Sequence, residues 1–329
     1  MERIYGMIDL HLHLDGSLSV DSVKKLAALQ NIEIPAEEDA LRRMLQVHEG
    51  CRDLNEYLEK FAFPCALMQT KEGIAGAVRH LEAELAEAGM IYAELRFAPQ
   101  QHTEKGLTQR EVIAAAISGM GQSSLRSNLI LCCMRGTDNR EKNLETVRAA
   151  KEFLGKGVAA VDLAGAEAIF PTEAFGDLFV LARELGVPYT IHAGEAAGPE
   201  SVAWALKFGT KRVGHGVRAA EDAALVERLA AEGATLELCP TSNLHTSMFG
   251  SYEEYPLKKL MDAGVKVTVN TDNMAVSNTT VSAELGYLKK ALHLTEEELR
   301  QLAENAAEAS FASAETKEWM KGEIAKRFA

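Results

Sequence analysis

The chain has 329 residues, enough to bury a large core without disulfide staples and within the size of one α/β barrel domain. Its 47% hydrophobic and 25% charged residues exclude a disordered chain, and no run of about 18 apolar residues marks a membrane span. Thirty-five Lys and Arg against 48 Asp and Glu give a net charge of −13, a field that repels phosphate backbones and anionic lipid. Neither nucleic acid nor a membrane is therefore an expected partner.

The opening stretch, MERIYGMIDLHLHLDGSL, is too polar for a signal peptide. The five cysteines, Cys51, Cys65, Cys132, Cys133 and Cys239, are odd in number and lack framework spacing. Both features predict a reducing, cytoplasmic location. Cys132 and Cys133 are neighbours on a predicted strand, so they point to opposite faces and read as small core residues.

The first predicted strand, Met7–Leu14, carries Asp9-Leu10-His11-Leu12-His13. Period 2 puts His11 and His13 on one face, the interior face if the strand belongs to a barrel. Two imidazoles so spaced can share a metal ion, although a lone pair of this kind also occurs at half-buried strand ends. The segment Asp21–Thr70 follows and is too long for one βα unit. It reads as largely helical, with Leu54, Tyr57, Leu58, Phe61, Phe63 and Leu67 as its apolar set. Such an insertion lies on the face where barrel enzymes place their sites, either as a lid or as ordinary helix packing.

Seven further strands are predicted: Ile91–Phe97, Leu129–Met134, Val158–Leu163, Tyr189–His192, Arg212–Gly214, Thr235–Leu238 and Lys266–Asn270. Their near-continuous apolarity is that of parallel strands covered on both faces. Between them the helical period recurs in Gly73–Ala88, Arg140–Leu154, Thr172–Leu185, Pro199–Phe208 and Ala219–Ala231. Gly89, Gly186, Gly209, Gly233 and Gly264 each stand where a helix must end before the next strand. From Thr295 onward two terminal helices are expected. Eight βα units without a Gly-rich phosphate fingerprint predict a (β/α)₈ barrel, a TIM barrel, over residues 1–329, with a helical insertion after the first strand.

Four strand ends carry polar clusters: the His11–His13 pair, Thr190-Ile191-His192-Ala193-Gly194-Glu195, Val213-Gly214-His215-Gly216, and Val269-Asn270-Thr271-Asp272-Asn273. These are C-terminal strand ends, where barrel enzymes carry out catalysis, and buried polar groups there need a partner. A divalent metal supplies one. His11, His13, His192 and Asp272 offer three nitrogens and one oxygen, a donor set suited to zinc with a position left for water. Water so bound becomes a nucleophile near neutral pH. His215 either orients that water or stabilises developing charge. Glu195, three residues past His192, is placed to carry a proton if its carboxyl is shielded from solvent. His48, His80, His102, His245 and His293 fall in helices or loops without evident partners.

Taken together, LHLHLDGSL, YAELRFAPQ, DLAGAE, TIHAGE, VGHGVR, LCPTSN and VNTDN resemble, in order and spacing, the adenosine deaminase family of the amidohydrolase superfamily, over nearly the whole chain. The resemblance implies one Zn²⁺ per chain held by His11, His13, His192 and Asp272. It implies metal-hydroxide attack at C6 of a purine nucleoside, with Glu195 protonating N1 and His215 and Asp272 handling the hydroxide. It further implies substrate contacts from His13, from the Gly165 backbone to purine N3, from Asp15 to a ribose hydroxyl, from Asn273 to N7, and from Leu58 and Phe61 as an apolar wall. Relatives acting on the free base tend to carry Glu at the Asp15 position, so Asp15 favours adenosine, and 2′-deoxyadenosine with it. The animal type has two aspartates where this chain has Asp272-Asn273, and an Asn amide still donates to an acceptor such as N7.

Three rival readings follow. One is deamination of adenine or of another 6-aminopurine derivative such as aminodeoxyfutalosine. Another is a different metal hydrolase on the same barrel. The third is a metal-free binding relative, which should have lost a ligand or the proton carrier, and none is missing.

Overall fold

In the computed structural model, residues 7–48, 50–51 and 53–329 are described. All eight expected strands form: β1 (Ile8–His13), β2 (Tyr92–Phe97), β3 (Arg126–Met134), β4 (Val158–Ala164), β5 (Ile191–Ala193), β6 (Arg212–His215), β7 (Thr235–Leu238) and β8 (Lys266–Val269). They pair in parallel as two runs, β1 to β4 and β5 to β8. Parallel bridges join the runs at Val161–Tyr189 and Leu12–Asp272, closing the (β/α)₈ barrel. The second seam is made by site residues: His13 N–H donates to the Asp272 carbonyl at 2.7 Å, and Asp272 N–H to the His11 carbonyl at 2.8 Å.

The helices lie where the 3.6 period places them, including Lys71–Glu87, Arg140–Phe153, Gly176–Leu185, Pro199–Lys207 and Ala223–Glu232. Two of the expected spans begin with a 3₁₀ turn, Thr172–Phe175 and Val217–Glu221, a geometry that apolar periodicity does not separate from α-helix. The five helix-ending glycines all have positive φ, from 63° at Gly233 to 93° at Gly209. Thr108 and Thr295 start their helices with capping boxes, each hydroxyl and the matching Glu satisfying two otherwise unpaired N–H groups.

The insertion folds as helices Val20–Gln30, Glu38–Leu45, Leu54–Leu58 and Ala62–Leu67 with a 3₁₀ turn at Glu59–Phe61. It is fastened down over the C-terminal end of the barrel. Tyr57 and Ser277 hydroxyls lie 2.7 Å apart, Val47 N–H bonds the Val276 carbonyl at 3.1 Å, and Cys51, Tyr57 and Val276 form a small apolar cluster. At the opposite end the last helix, Ala314–Arg327, packs Met320 and Ile324 against Met7, Ile8, Leu10 and Tyr92. Each such buried side chain contributes about 1.5–3 kcal/mol relative to exposure. No described helix is long and apolar enough to cross a membrane. All five cysteines are free thiols, and Cys132 and Cys133 point to opposite faces, toward Asp162 and toward the Asn143 carbonyl.

Candidate active site

The alternating histidines of β1 meet β5 and the end of β8 inside the barrel mouth. His11, His13, His192 and Asp272 bring one ligand atom each to within 4.8 Å of one another. His192 Nε2 is 3.0 Å from His11 Nε2 and 3.2 Å from His13 Nε2. Asp272 Oδ1 lies 3.5 and 3.4 Å from the same atoms of His11 and His13. Burial holds the His11 and His13 imidazoles well below their usual pKa, so both are neutral.

The far sides of two rings fix which nitrogen carries the proton. His11 Nδ1 is 2.8 Å from Glu237 Oε2, and His192 Nδ1 is 2.8 Å from Asp162 Oδ2. Carboxylates accept only, so both protons sit on Nδ1 and two lone pairs face each other on Nε2. That arrangement is repulsive without a cation, and carboxylate–histidine pairs of this type orient metal ligands. The donor set fits a divalent ion of zinc's preferences.

The two carboxylates rest on a buried layer that the sequence reading missed. Arg96 bonds Asp162 at 2.8 Å and Glu237 at 2.9 Å, and Arg212 bonds Glu237 and Glu94, each at 2.7 Å. Against the cost of burial, His192 and Arg96 hold the Asp162 carboxyl far below its usual range. Arg212 and Arg96 likewise bring Glu237 down to about 2. The available signal was Glu94 and Arg96 at period 2 inside the otherwise apolar YAELRF.

Glu195 is buried beside the cluster. Burial, reinforced by the Asp272 and Glu167 carboxylates, pushes its pKa well above the usual range, so the fold favours the protonated acid. Glu167 holds the turn that bears it. Its carboxylate accepts N–H bonds from Gly194, Glu195, Ala196 and Ala197 at 2.7–3.0 Å, and the Ser201 hydroxyl. Glu167 was not singled out from DLAGAE, because a side chain that binds backbone leaves no pattern in sequence.

His215 stands with φ 55° and Asp272 with φ 60°, a left-handed conformation that costs energy for such residues and clusters at functional sites. The LCPTSN segment after β7 orients both. Ser242 Oγ donates to Asp272 Oδ2 at 2.7 Å. Tyr255 donates to Asn243 Oδ1 at 2.9 Å, turning the Asn243 amide toward His215 Nδ1 at 3.2 Å. The His215 proton therefore sits on Nε2, 3.6 Å from Glu195 Oε1. Gly214 makes room for His11, since a Cβ there would lie 3.0 Å from the His11 ring.

These groups open onto a cavity of about 490 Å³ lined by His13, Asp15, Leu58, Phe61, Gly165, His192, Glu195, His215, Asp272 and Asn273 among others. That is within the roughly 300–1,000 Å³ of small-molecule sites. Every residue expected to touch substrate lines it, and His11 lies buried behind. Gly165 has φ 105°, and a Cβ would meet Met134 at 3.3 Å, so only glycine presents its backbone there. Asn273 Oδ1 is buried with no hydrogen-bond partner among the described residues. Among the described residues, no Lys or Arg lines the cavity. Of the histidines read as having no evident partners, His48 departs from that reading, with Nε2 2.8 Å from Glu56 Oε1, while His102 lies fully buried near Asp15 and Cys65.

The adenosine deaminase family model matches residues 7–327. The chain is 45% identical to an adenosine deaminase of Haemophilus ducreyi over 98% of its length and 97% of the relative's. It is 42% identical to an adenosine deaminase of Clostridium botulinum, covering 95% of each chain. Among solved structures, an adenine deaminase from Arthrobacter aurescens superposes with a TM-score of 0.87 at 28% identity, covering 97% of this chain and 98% of that one.

Proposed function

Because the chain belongs to the adenosine deaminase family, we propose that it hydrolyses adenosine and 2′-deoxyadenosine to the corresponding inosine and ammonia, with one zinc ion held by His11, His13, His192 and Asp272. The observation that carries the substrate is Asp15, whose carboxylate lines the cavity with the ligand cluster and has one oxygen, Oδ1, buried without a partner among the described residues. Zinc bound at the cluster would bring the pKa of a coordinated water toward neutrality and so supply the nucleophile.

The protein's own groups do the rest. Glu195, protonated at neutral pH, delivers its proton to purine N1, which makes C6 electrophilic. Water oxygen adds to C6 and gives up both its protons. One goes to the amino nitrogen, so that the C6–N6 bond breaks with loss of ammonia and C6 keeps the oxygen as a carbonyl, and the other restores the Glu195 acid. The His215 Nε2–H points into this space and stabilises charge on the entering oxygen. The Gly165 N–H receives purine N3, Asn273 addresses N7, and Leu58 and Phe61 cover the ring from the insertion. These contacts hold C6 near the reacting groups, which lowers the barrier by positioning.

The test is turnover of adenosine, 2′-deoxyadenosine and adenine in parallel, followed by ultraviolet absorption. Rapid conversion of both nucleosides with little conversion of adenine is expected. Preferential conversion of adenine would keep the chemistry and overturn the substrate. Adenine is the rival reading because the Arthrobacter neighbour is named for it.

A further inference from the structure

We propose that Asp15, Cys65 and His102 form a second metal site, for zinc or a zinc-like ion, at the sugar end of the cavity. Their ligand atoms lie within 4.8 Å of one another, with Cys65 Sγ 3.6 Å from Asp15 Oδ2. His102 is 0% exposed, and neither ring nitrogen has a hydrogen-bond partner among the described residues. Asp15 Oδ1 is unpartnered as well. Buried polar atoms left without partners are costly, and here the His102 ring and the Asp15 carboxylate both hold such atoms beside the Cys65 thiol.

The donors suit a particular class of ion. Thiolate sulfur, imidazole nitrogen and carboxylate oxygen together favour zinc and cobalt over magnesium or calcium. Burial lowers His102 to about 4, so at neutral pH its lone pair is free to bind. On binding, the Cys65 thiol releases its proton, and one thiolate, one carboxylate and one dication sum to zero charge. A neutral cluster is what a buried site tolerates.

The scaffold is already tied together. The Gln69 amide donates to the Cys65 carbonyl at 3.0 Å and to the Gln101 carbonyl at 2.9 Å, while its oxygen accepts from Glu104 N–H at 3.0 Å. The two segments that bear Cys65 and His102 are thus held in register. Asp15 and Cys65 line the cavity, which gives the ion a path in. An ion here takes the carboxylate that, on the proposed function, holds a ribose hydroxyl. The site is therefore inhibitory and competes with the nucleoside.

The experiment titrates Co²⁺ into enzyme already carrying one equivalent of zinc. A thiolate-to-cobalt absorption band in the near ultraviolet is expected, saturating at one Co²⁺ per chain and missing from Cys65→Ser and His102→Asn. Excess zinc should raise the KM for adenosine in the parent and leave kcat unchanged, with Cys65→Ser resisting it. Absence of the band in the parent, or a band that survives in both variants, overturns the proposal. The band does not depend on substrate. Its presence in an enzyme that prefers adenine would spare the second site and reject the nucleoside, and its absence alongside adenosine turnover would do the reverse.

Discussion

At the residue scale the proposed function divides the work of the site between groups that touch substrate and groups that hold them. Glu195 belongs to the first kind. Glu195→Gln keeps size and hydrogen bonding but removes the proton carrier, so kcat/KM should fall by roughly 10²–10⁴ with zinc content unchanged. Loss of zinc from this variant, or near-full turnover, would contradict the assignment. Asp162 and Glu237 belong to the second kind. Glu237→Gln should weaken metal affinity by about 10–100-fold, measured by competition with a chelator, since it no longer fixes the His11 proton on Nδ1. The histidines of the cluster and its neighbour His215 were legible in sequence because alternation on β1 and the HAGE and GHG contexts expose them. Glu237, Arg96 and Asp162 were not, because Arg96 meets Asp162 and Glu237 across 66 and 141 residues of sequence and a lone charge in a strand looks like a surface position.

At the scale of elements, the helix Val281–Leu292 supports the segment after β7. Its Glu284 accepts from Thr241 N–H at 3.1 Å and from the Thr279 hydroxyl at 2.8 Å, and so braces the turn that carries Ser242 and Asn243. Burial pushes Glu284 up from 4.5 to about 7, so the fold prefers the protonated acid. Its contribution to stability is complete below about 4.5 and is lost as pH rises to about 7. Glu284→Gln lacks that titration. Relative to the parent it should gain on the order of 3 kcal/mol between pH 4.5 and 7, read from denaturant unfolding at each pH. A pH-independent difference would refute the titration. The strands and the helices named from the sequence agree with the structure to within a few residues, because parallel strands buried on both faces contrast sharply with amphipathic helices, whereas Gln109–Gly119 and Val281–Leu292 were not named. The 3₁₀ turns and the docking of the insertion through Tyr57 and Ser277 depend on tertiary contact and left no local trace.

Across the whole molecule, stability and chemistry occupy opposite ends of the barrel. The terminal helices seal the end where β1 and β2 begin, while the insertion covers the end where the ligands converge. Ile324→Ala, at the sealed end, should cost about 2–5 kcal/mol of unfolding free energy and leave kcat unaltered at temperatures where the variant is folded. A change in kcat would mean that the two ends communicate. The seam between β8 and β1 links both properties, since the bridge that closes the barrel is formed by Leu12 and Asp272. The ligand cluster is thus built into the closure.

The central claim is that the His11, His13, His192 and Asp272 cluster holds the ion on which adenosine deamination depends. Its most direct test is to remove metal with a chelator, return zinc in known amounts, and record adenosine turnover against zinc per chain. Activity should be absent at zero and rise linearly to one equivalent. Full turnover by protein shown to contain no metal would contradict the account.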